Sequence, residues 1–454
     1  MHETVEALSA DAPVGSRSGS LRGATTRARW FRRGTGVVLV TLAVGLPLLR
    51  QSGVHSWRTI WAEDGALYYA EADRLGGLSV LFRGYAGYLQ LPPRILALGM
   101  SRVPTEQLSI YLALAPALVA GLLAWFVYRA TDGWVGSRLT RLVLAALVVL
   151  MPCLIVENVA SVTNLIWTFA AVVPWALISM AEKKVDVATR SAVAFLAATS
   201  TAIVGLFLPL AIGFALYRRT KAAYVVVGAY LAGLSVQGLV VTHTTDQARA
   251  PVRNSVGDFV TLIGQRIFGQ YLLGERGVSS LWVEHGTALV VGSTSIVAMG
   301  FLVSLMGAER RNQVMAMVLA ACAFATFAFP VWGRGTSTIP LEAGVYHLDA
   351  MRYSVVPIML LASAFALLVA PVGPSANHRI ARVARPIFIA QLILVMAVGF
   401  SDDNFRSVGP AWPEAMRTAY ENDCKGMPSD TEVGVMISPN NWALVLSCAE
   451  LQPR

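Results

Sequence analysis

A chain of 454 residues with 55% hydrophobic and only 14% charged residues does not have the make-up of several soluble domains, where about a quarter of residues are charged. The net charge of +9 does not point to nucleic acid, because the basic residues form short clusters between apolar runs and not one patch. The runs are about 15 to 21 residues long and lack the alternation of a barrel, which leaves an all-α integral membrane protein.

In chain order, the stretch 1–33 is rich in Ser, Ala and Arg and has no packing pattern, so it reads as a disordered basic cytoplasmic N-terminus. GTGVVLVTLAVGLPLL follows. Arg50, Gln51 and Ser52 come next instead of a small-residue cleavage site, so this run is predicted to be a retained first helix and not a signal peptide. The runs predict about eleven helices, near 35–49, 108–128, 142–157, 165–181, 191–204, 205–217, 222–242, 287–307, 313–331, 353–371 and 386–400. The fifth and sixth are too short to span independently. They form either a re-entrant hairpin or a tilted pair in thinned bilayer.

Lys and Arg set the orientation. Arg17 to Arg33, then Arg129, Arg138 and Arg141, Lys183, Lys184 and Arg190, Arg218, Arg219 and Lys221, Arg310 and Arg311, and Arg379, Arg382 and Arg385 all fall on one side of the alternating helices. That side is predicted to be cytoplasmic, with the N-terminus in and the tail out. The polytopic domain is then 34–400, with long outer loops at 50–107 and 243–286, and 401–454 is a small extracytoplasmic cap. Most acids fall outside, so any chemistry is expected there.

Loop 50–107 carries HSWRTIWAEDGALYYAEADRLGGLSVLFRGYAGYLQLPPRILALG, with Glu63 beside Asp64, then Glu71, Asp73, Arg83 and Arg94 among aromatics that include Tyr68. A helix beginning just after Asp64 places Asp64, Tyr68 and Glu71 on one face and turns Glu63 elsewhere. A carboxylate at a membrane surface suits general-base work on a hydroxyl, or a divalent cation (Mg or Mn) bridging to phosphate. The competing reading makes Asp64 an N-cap and the aromatics an interfacial belt.

Two further sets follow. In ENVASVTNLIWTF, Glu157 interrupts the apolar pattern and faces either a cavity or a tight turn. In WGRGTSTIPLEAGVYHLDAMRYSVVP, Arg334 and Arg352 flank Glu342, Tyr346, His347 and Asp349. A guanidinium fork suits a lipid phosphate, against the alternative of interfacial anchoring. The stretch VGDFVTLIGQRIFGQYLLGE fits a helix along the interface. In the tail, a helix near 411–422 and a strand-like VGVMIS accompany Cys424 and Cys448, the two cysteines outside, which are predicted to bridge; Cys153 and Cys322 lie in apolar runs. No nucleotide loop, HExxH motif or GxSxG elbow is present.

A short cytoplasmic start, one spanning helix and a first outer loop with an acidic pair, here Glu63-Asp64 in WAEDGALYYAEA, resemble the GT-C superfamily of polytopic glycosyltransferases. The resemblance implies a polyprenyl-phosphate-linked sugar donor, an envelope glycan, lipid or protein acceptor, and catalysis on the extracytoplasmic face of the plasma membrane. It also implies a base from Asp64 or Glu63, with Arg334, Arg352, Arg83, Arg94, His347, Tyr68 and Glu157 as candidates for holding the substrate. An O-antigen polymerase or ligase type of enzyme would instead promote Arg334 and His347. A lipid-linked-sugar flippase would show internal repeats, and none is evident.

Overall fold

The apolar runs fall on helices in the structure, a computed structural model that describes residues 36–154, 160–243, 252–339, 341, 351–370, 378–401 and 406–452. In chain order the helices are α1 (Gly36–Leu48), α2 (Ala70–Leu75, preceded by a π-helical turn over Asp64–Tyr69), α3 (Leu91–Met100), α4 (Leu108–Ala130), α5 (Arg138–Leu150), α6 (Leu165–Ile178), α7 (Lys184–Ala198) and α8 (Leu208–Arg218). They continue with α9 (Lys221–His243), α10 (Val256–Ile263), α11 (Gln270–Gly307), α12 (Arg310–Arg334), α13 (Arg352–Leu368), α14 (His378–Val398), α15 (Trp412–Ala419) and α16 (Cys448–Leu451). Two small hairpins complete the described residues: β1 (Gly84–Tyr85) with β2 (Tyr88–Leu89), and β3 (Glu432–Ile437) with β4 (Trp442–Ser447), both antiparallel.

Five helical stretches are long and apolar enough to cross a membrane: Thr105–Ala130, Lys221–His243, Val256–Gly307, Arg310–Arg334 and Arg379–Val398. Gly36–Leu48, Leu165–Ile178, Ala202–Arg218 and Arg352–Leu368 are shorter apolar helices. Two of the shorter ones, α6 and α13, form the centre. Every residue of α6 is buried, as is α13 after Arg352, and Trp175 Nε1 donates to Ser363 Oγ between them at 3.0 Å. The outer helices instead show apolar stripes to their surroundings. On α4 these are Ile110, Leu114, Leu118 and Leu122, spaced one turn apart as a lipid-facing stripe requires.

Several boundaries differ from the sequence expectation, each for a local reason. Helix α5 stops at Leu150 because Pro152 follows, and a 3-10 turn over Pro152–Leu154 takes its place. Helix α7 starts at Lys184, not near 191, so Arg190 lies inside it. There it is buried and donates to Ala176 O and Ala181 O, the free carbonyls at and beyond the end of α6. Helix α14 starts at His378 and takes Pro386 into its interior, which packed membrane helices tolerate. Helix α11 begins at Gln270 and bends at Gly274 and His285, which have non-helical backbone.

Charged contacts distinguish the two ends of the bundle. At one end Arg129 pairs with Asp186, Arg141 with Asp132 and Arg218 with Glu182, while Arg311 stacks 4.7 Å from the Trp134 ring. At the other end lie loop 50–107, the turn 160–163 and the tail. Arg50 joins them. It is wholly buried and donates to Val149 O, Met151 O, Gly399 O and Phe400 O at 3.0–3.1 Å, which satisfies carbonyls at the ends of α5 and α14.

The tail folds as a helix–hairpin unit, the cap, closed by a disulfide between Cys424 and Cys448 with Cα atoms 5.3 Å apart. In the chain-entropy picture, a loop of 24 residues closed this way stabilises by about 3 kcal/mol. The cap grips loop 50–107. Ala62 N donates to Ser438 O at 2.7 Å and Ser438 N to Ile60 O at 3.0 Å, Trp412 Nε1 donates to Thr105 O at 2.8 Å, and Arg58 pairs with Glu414. At Gly65 a Cβ would lie 2.7 Å from the Ile60 side chain and 3.1 Å from that of Ile437 in the cap strand, so a larger residue here would force both isoleucines to shift.

Candidate active site

The helix carrying the acidic pair starts where the cap bridge ends. Adjacent helical residues point about 100° apart, and here the angle separates inside from outside: Asp64 is 0% exposed, while Glu63 is half-buried with solvent on one side. Asp64 does not cap its own helix, because Ala62 and Glu63 before it are already helical. Its carboxylate reaches a distant turn instead. Oδ1 accepts from Thr163 N at 2.8 Å and Thr163 Oγ1 at 2.6 Å, and Oδ2 accepts from Val162 N at 2.9 Å. Burial pushes its pKa up to about 6, against the pull of the Thr163 and Val162 hydrogen bonds and of the Arg406 charge.

Tyr68 and Arg94, predicted as substrate ligands, form an internal layer beneath this helix. Both are fully buried. The Tyr68 hydroxyl donates to Gln90 Oε1, the Arg94 guanidinium lies 4.7 Å from the centre of the Tyr68 ring, and Arg94 pairs with Glu71. Arg83 pairs with the other Glu71 oxygen at 3.3 Å. Arg83 and Arg94 are therefore brought together around Glu71 and not around Asp64, with Tyr68 packed under Arg94.

A second assembly is open to solvent. The β1–β2 hairpin turns through Ala86 and Gly87, both at positive φ, as a two-residue type I′ loop requires. Tyr85 and Tyr88 sit directly opposite each other in register, so their side chains leave on the same face. Burial raises both phenols. Glu63 raises Tyr85 further while Arg352 lowers it, and Arg334 and Arg352 both lower Tyr88. Glu63 and the two arginines of the 334–352 segment thus act on one pair of tyrosines. Arg334 and Arg352 also lie 5.7 and 5.6 Å from the centre of the Tyr353 ring, which packs edge-on against Trp167.

Backbone pins hold these arginines in place. Arg334 ends α12, and the next residues are tied to the 253–255 segment: Thr336 N donates to Asn254 Oδ1 at 3.1 Å and Ser255 N to Thr336 Oγ1 at 3.0 Å. Gly335, at φ 97°, brings the chain within van der Waals reach of Arg253. Arg352 opens α13 next to Met351, whose sulfur receives bonds from Arg266 at 3.2 Å and Gln270 at 2.9 Å. The 256–275 stretch therefore turns its polar residues into the protein: Gln265, Arg266, Gln270 and Glu275 are all buried. His347 and Glu157 lie outside the described residues, as do Glu342, Tyr346 and Asp349.

A divalent cation needs several oxygen ligands. Both Asp64 oxygens are already engaged by three donors within 3 Å. Among the described residues no group of three His, Cys, Asp or Glu side chains converges. The donor set around Asp64 does not suit a resident metal.

Sequence reasoning passed over Arg50, Arg266 and Arg406 as functional groups. Each is almost completely buried at the cap end. Their signal was a lone arginine immediately after a spanning run, inside an apolar amphipathic stretch, and at the head of the tail; all three positions also suit an ordinary interfacial anchor. No protein-family model matches the chain, and no curated protein is significantly similar to it.

Proposed function

We propose that the chain is a membrane glycosyltransferase of the GT-C type, which moves a sugar from a polyprenyl-phosphate donor to an envelope acceptor at the cap end of the bundle. The observation that carries this reading is the convergence of Glu63, Arg334 and Arg352 on Tyr85 and Tyr88. An accessible carboxylate and two guanidiniums acting on one pair of tyrosines are equipment for activating a hydroxyl and holding a phosphate leaving group. Glu63 takes the acceptor's proton, the acceptor oxygen bonds to the anomeric carbon, and the bond from that carbon to the phosphate oxygen breaks. The electrons leave with the phosphate, which Arg334 and Arg352 hold. The basic clusters gathered at the opposite end support placing that end in the cytoplasm and the cap outside the plasma membrane. A disulfide in the cap is in keeping with an oxidising compartment.

The test is sugar transfer by the full chain in lipid nanodiscs, with polyprenyl-phosphate sugars as donors and an envelope lipid extract as acceptor. Glu63→Gln keeps the shape and removes the base, so transfer should fall at least a hundredfold, within the roughly 10²–10⁴ range of general-base catalysis. Arg334→Lys keeps the charge and loses the fork, so it should raise the donor KM more than it lowers kcat. Full activity in Glu63→Gln with loss in Arg334→Lys would favour the polymerase or ligase type of reaction, which leans on the late arginines. Transport of the donor without transfer would favour a flippase.

A further inference from the structure

The transfer step proposed above leaves a fully buried acid without a chemical role. Asp64 is enclosed on all sides, yet it accepts hydrogen bonds from two consecutive backbone amides, those of Val162 and Thr163, and from the Thr163 hydroxyl. Among the described residues, the charged group that acts on it from a neighbouring segment is Arg406, at the start of the cap, and Tyr68 lies one turn further along its own helix. Arg406 grips the same turn from the other side. It donates to Ala160 O at 3.0 Å, to Ser56 O and Thr59 O at 3.2 Å, and to Thr59 Oγ1 at 3.3 Å.

From this geometry we infer that Asp64 is a positioning residue: with Arg406 it forms a buried clasp that fixes the 160–163 turn and the head of the Glu63 helix to one another. Three segments far apart in sequence meet there, namely 56–64, 160–163 and the start of the cap. The turn needs holding. Ala160 sits at φ 48°, in the left-handed region that a residue with a Cβ avoids, and its carbonyl is the one Arg406 binds. Ala160 and Ser161 also border a small cleft of about 20 Å³, whose other walls include Pro47, Pro116, Val148 and Leu165. Without the clasp the strained turn is no longer held, and the helix that presents Glu63 loses its fixed neighbour.

What the clasp positions rests on the reading of Glu63 as the reacting acid; that the clasp exists does not. The experiment therefore has two readouts on the full chain in nanodiscs: amide hydrogen exchange across 160–164 without substrate, and sugar transfer. In Asp64→Asn the side-chain NH2 cannot accept from Val162, so exchange there should rise about tenfold or more. Transfer should fall by about ten- to a hundredfold, through kcat, as expected when a reacting group is displaced by about 1 Å. Thr163→Val removes only the hydroxyl donor and should move both readouts in the same direction by less, which covers the case in which Asp64→Asn fails to fold. Abolished transfer with Val162 and Thr163 amides as slow as in the wild type would make Asp64 a reacting group and overturn the inference. Unchanged exchange in both variants would overturn it as well. If the wild-type chain transfers no sugar, the proposed function fails and the exchange readout alone decides the clasp.

Discussion

Arginines at the two ends of the bundle are put to different uses. At the basic end, Arg129 and Arg218 pair with Asp186 and Glu182 across partly exposed surface. At the cap end, Arg50, Arg94, Arg266 and Arg406 rank among the largest side chains that are wholly buried, with exposures below 2%. Exposed pairs contribute little to stability, with a median near 0–1 kcal/mol. Burying an ion costs several kcal/mol before any contact is counted. Exposed charge therefore sets orientation, while buried arginine fixes where segments meet, chiefly at the cap end and, in Arg190, at the basic end as well. Arg50 and Arg406 bind backbone carbonyls, Arg94 an acid, and Arg266 the Gln265 side-chain oxygen and the Met351 sulfur, so each ties together chain segments that the apolar helices alone would leave loosely related.

Arg50→Met should give the largest effect of this comparison. The substitution keeps bulk but leaves the carbonyls of Val149, Met151, Gly399 and Phe400 without their donor inside the protein. Each buried acceptor left unpaired costs about 1–3 kcal/mol, softened where the turn relaxes, so a total loss of about 3–5 kcal/mol is expected. Thermal unfolding of the purified chain in one detergent measures it. A drop of less than 1 kcal/mol would show that burial of this arginine carries no structural cost and would break the contrast.

The next effect is a pH dependence. The folded pKa of Asp64, about 6, lies above its ordinary value of 3.8, so the folded state binds the proton more tightly than the unfolded chain. The resulting stabilisation is complete below about pH 4 and is lost as pH rises through about 6, by an amount on the order of 3 kcal/mol. Asp73, also raised by burial and by Glu450, adds in the same direction, but it is largely exposed and adds less. Unfolding midpoints measured from pH 4.5 to 7.5 should fall with pH in the wild type and be flatter in Asp64→Asn. A wild-type midpoint that rises over that interval would contradict the burial of this carboxyl.

Much of the bundle was legible in the sequence, because runs of apolar residues bounded by Lys and Arg have few other physical solutions. The helix, the strand and the disulfide of the tail were also readable, from amphipathic spacing and from two cysteines on one side. The partners of the acidic pair were not. Periodicity separates the faces of Glu63 and Asp64, but it does not say which face is closed. That is decided by Val162, Thr163 and Arg406, about a hundred and several hundred residues away. The same limit applies to Arg94, which looked like a phosphate ligand by type and is committed to Glu71 and the Tyr68 ring. It applies as well to Pro386, whose place inside α14 depends on neighbouring helices and not on its own preference for helix starts.

The smallest expected effect falls on the same residue type as the largest. Arg129 is 54% exposed along its side chain and meets Asp186 at 3.5 Å. Arg129→Ala should cost less than about 1 kcal/mol, and the loss should shrink further as ionic strength shortens the screening length from about 10 Å at 0.1 M to 3 Å at 1 M. Arg58 provides the cross-check. It lies at the cap end but is 47% exposed, paired with a Glu414 that is equally open. If burial and not location sets the worth of an arginine, Arg58→Ala should resemble Arg129→Ala and not Arg50→Met. A loss in Arg58→Ala of about 3 kcal/mol, insensitive to salt, would mean that the cap end stiffens even its exposed pairs, and the distinction between the two ends would then rest on the cap itself.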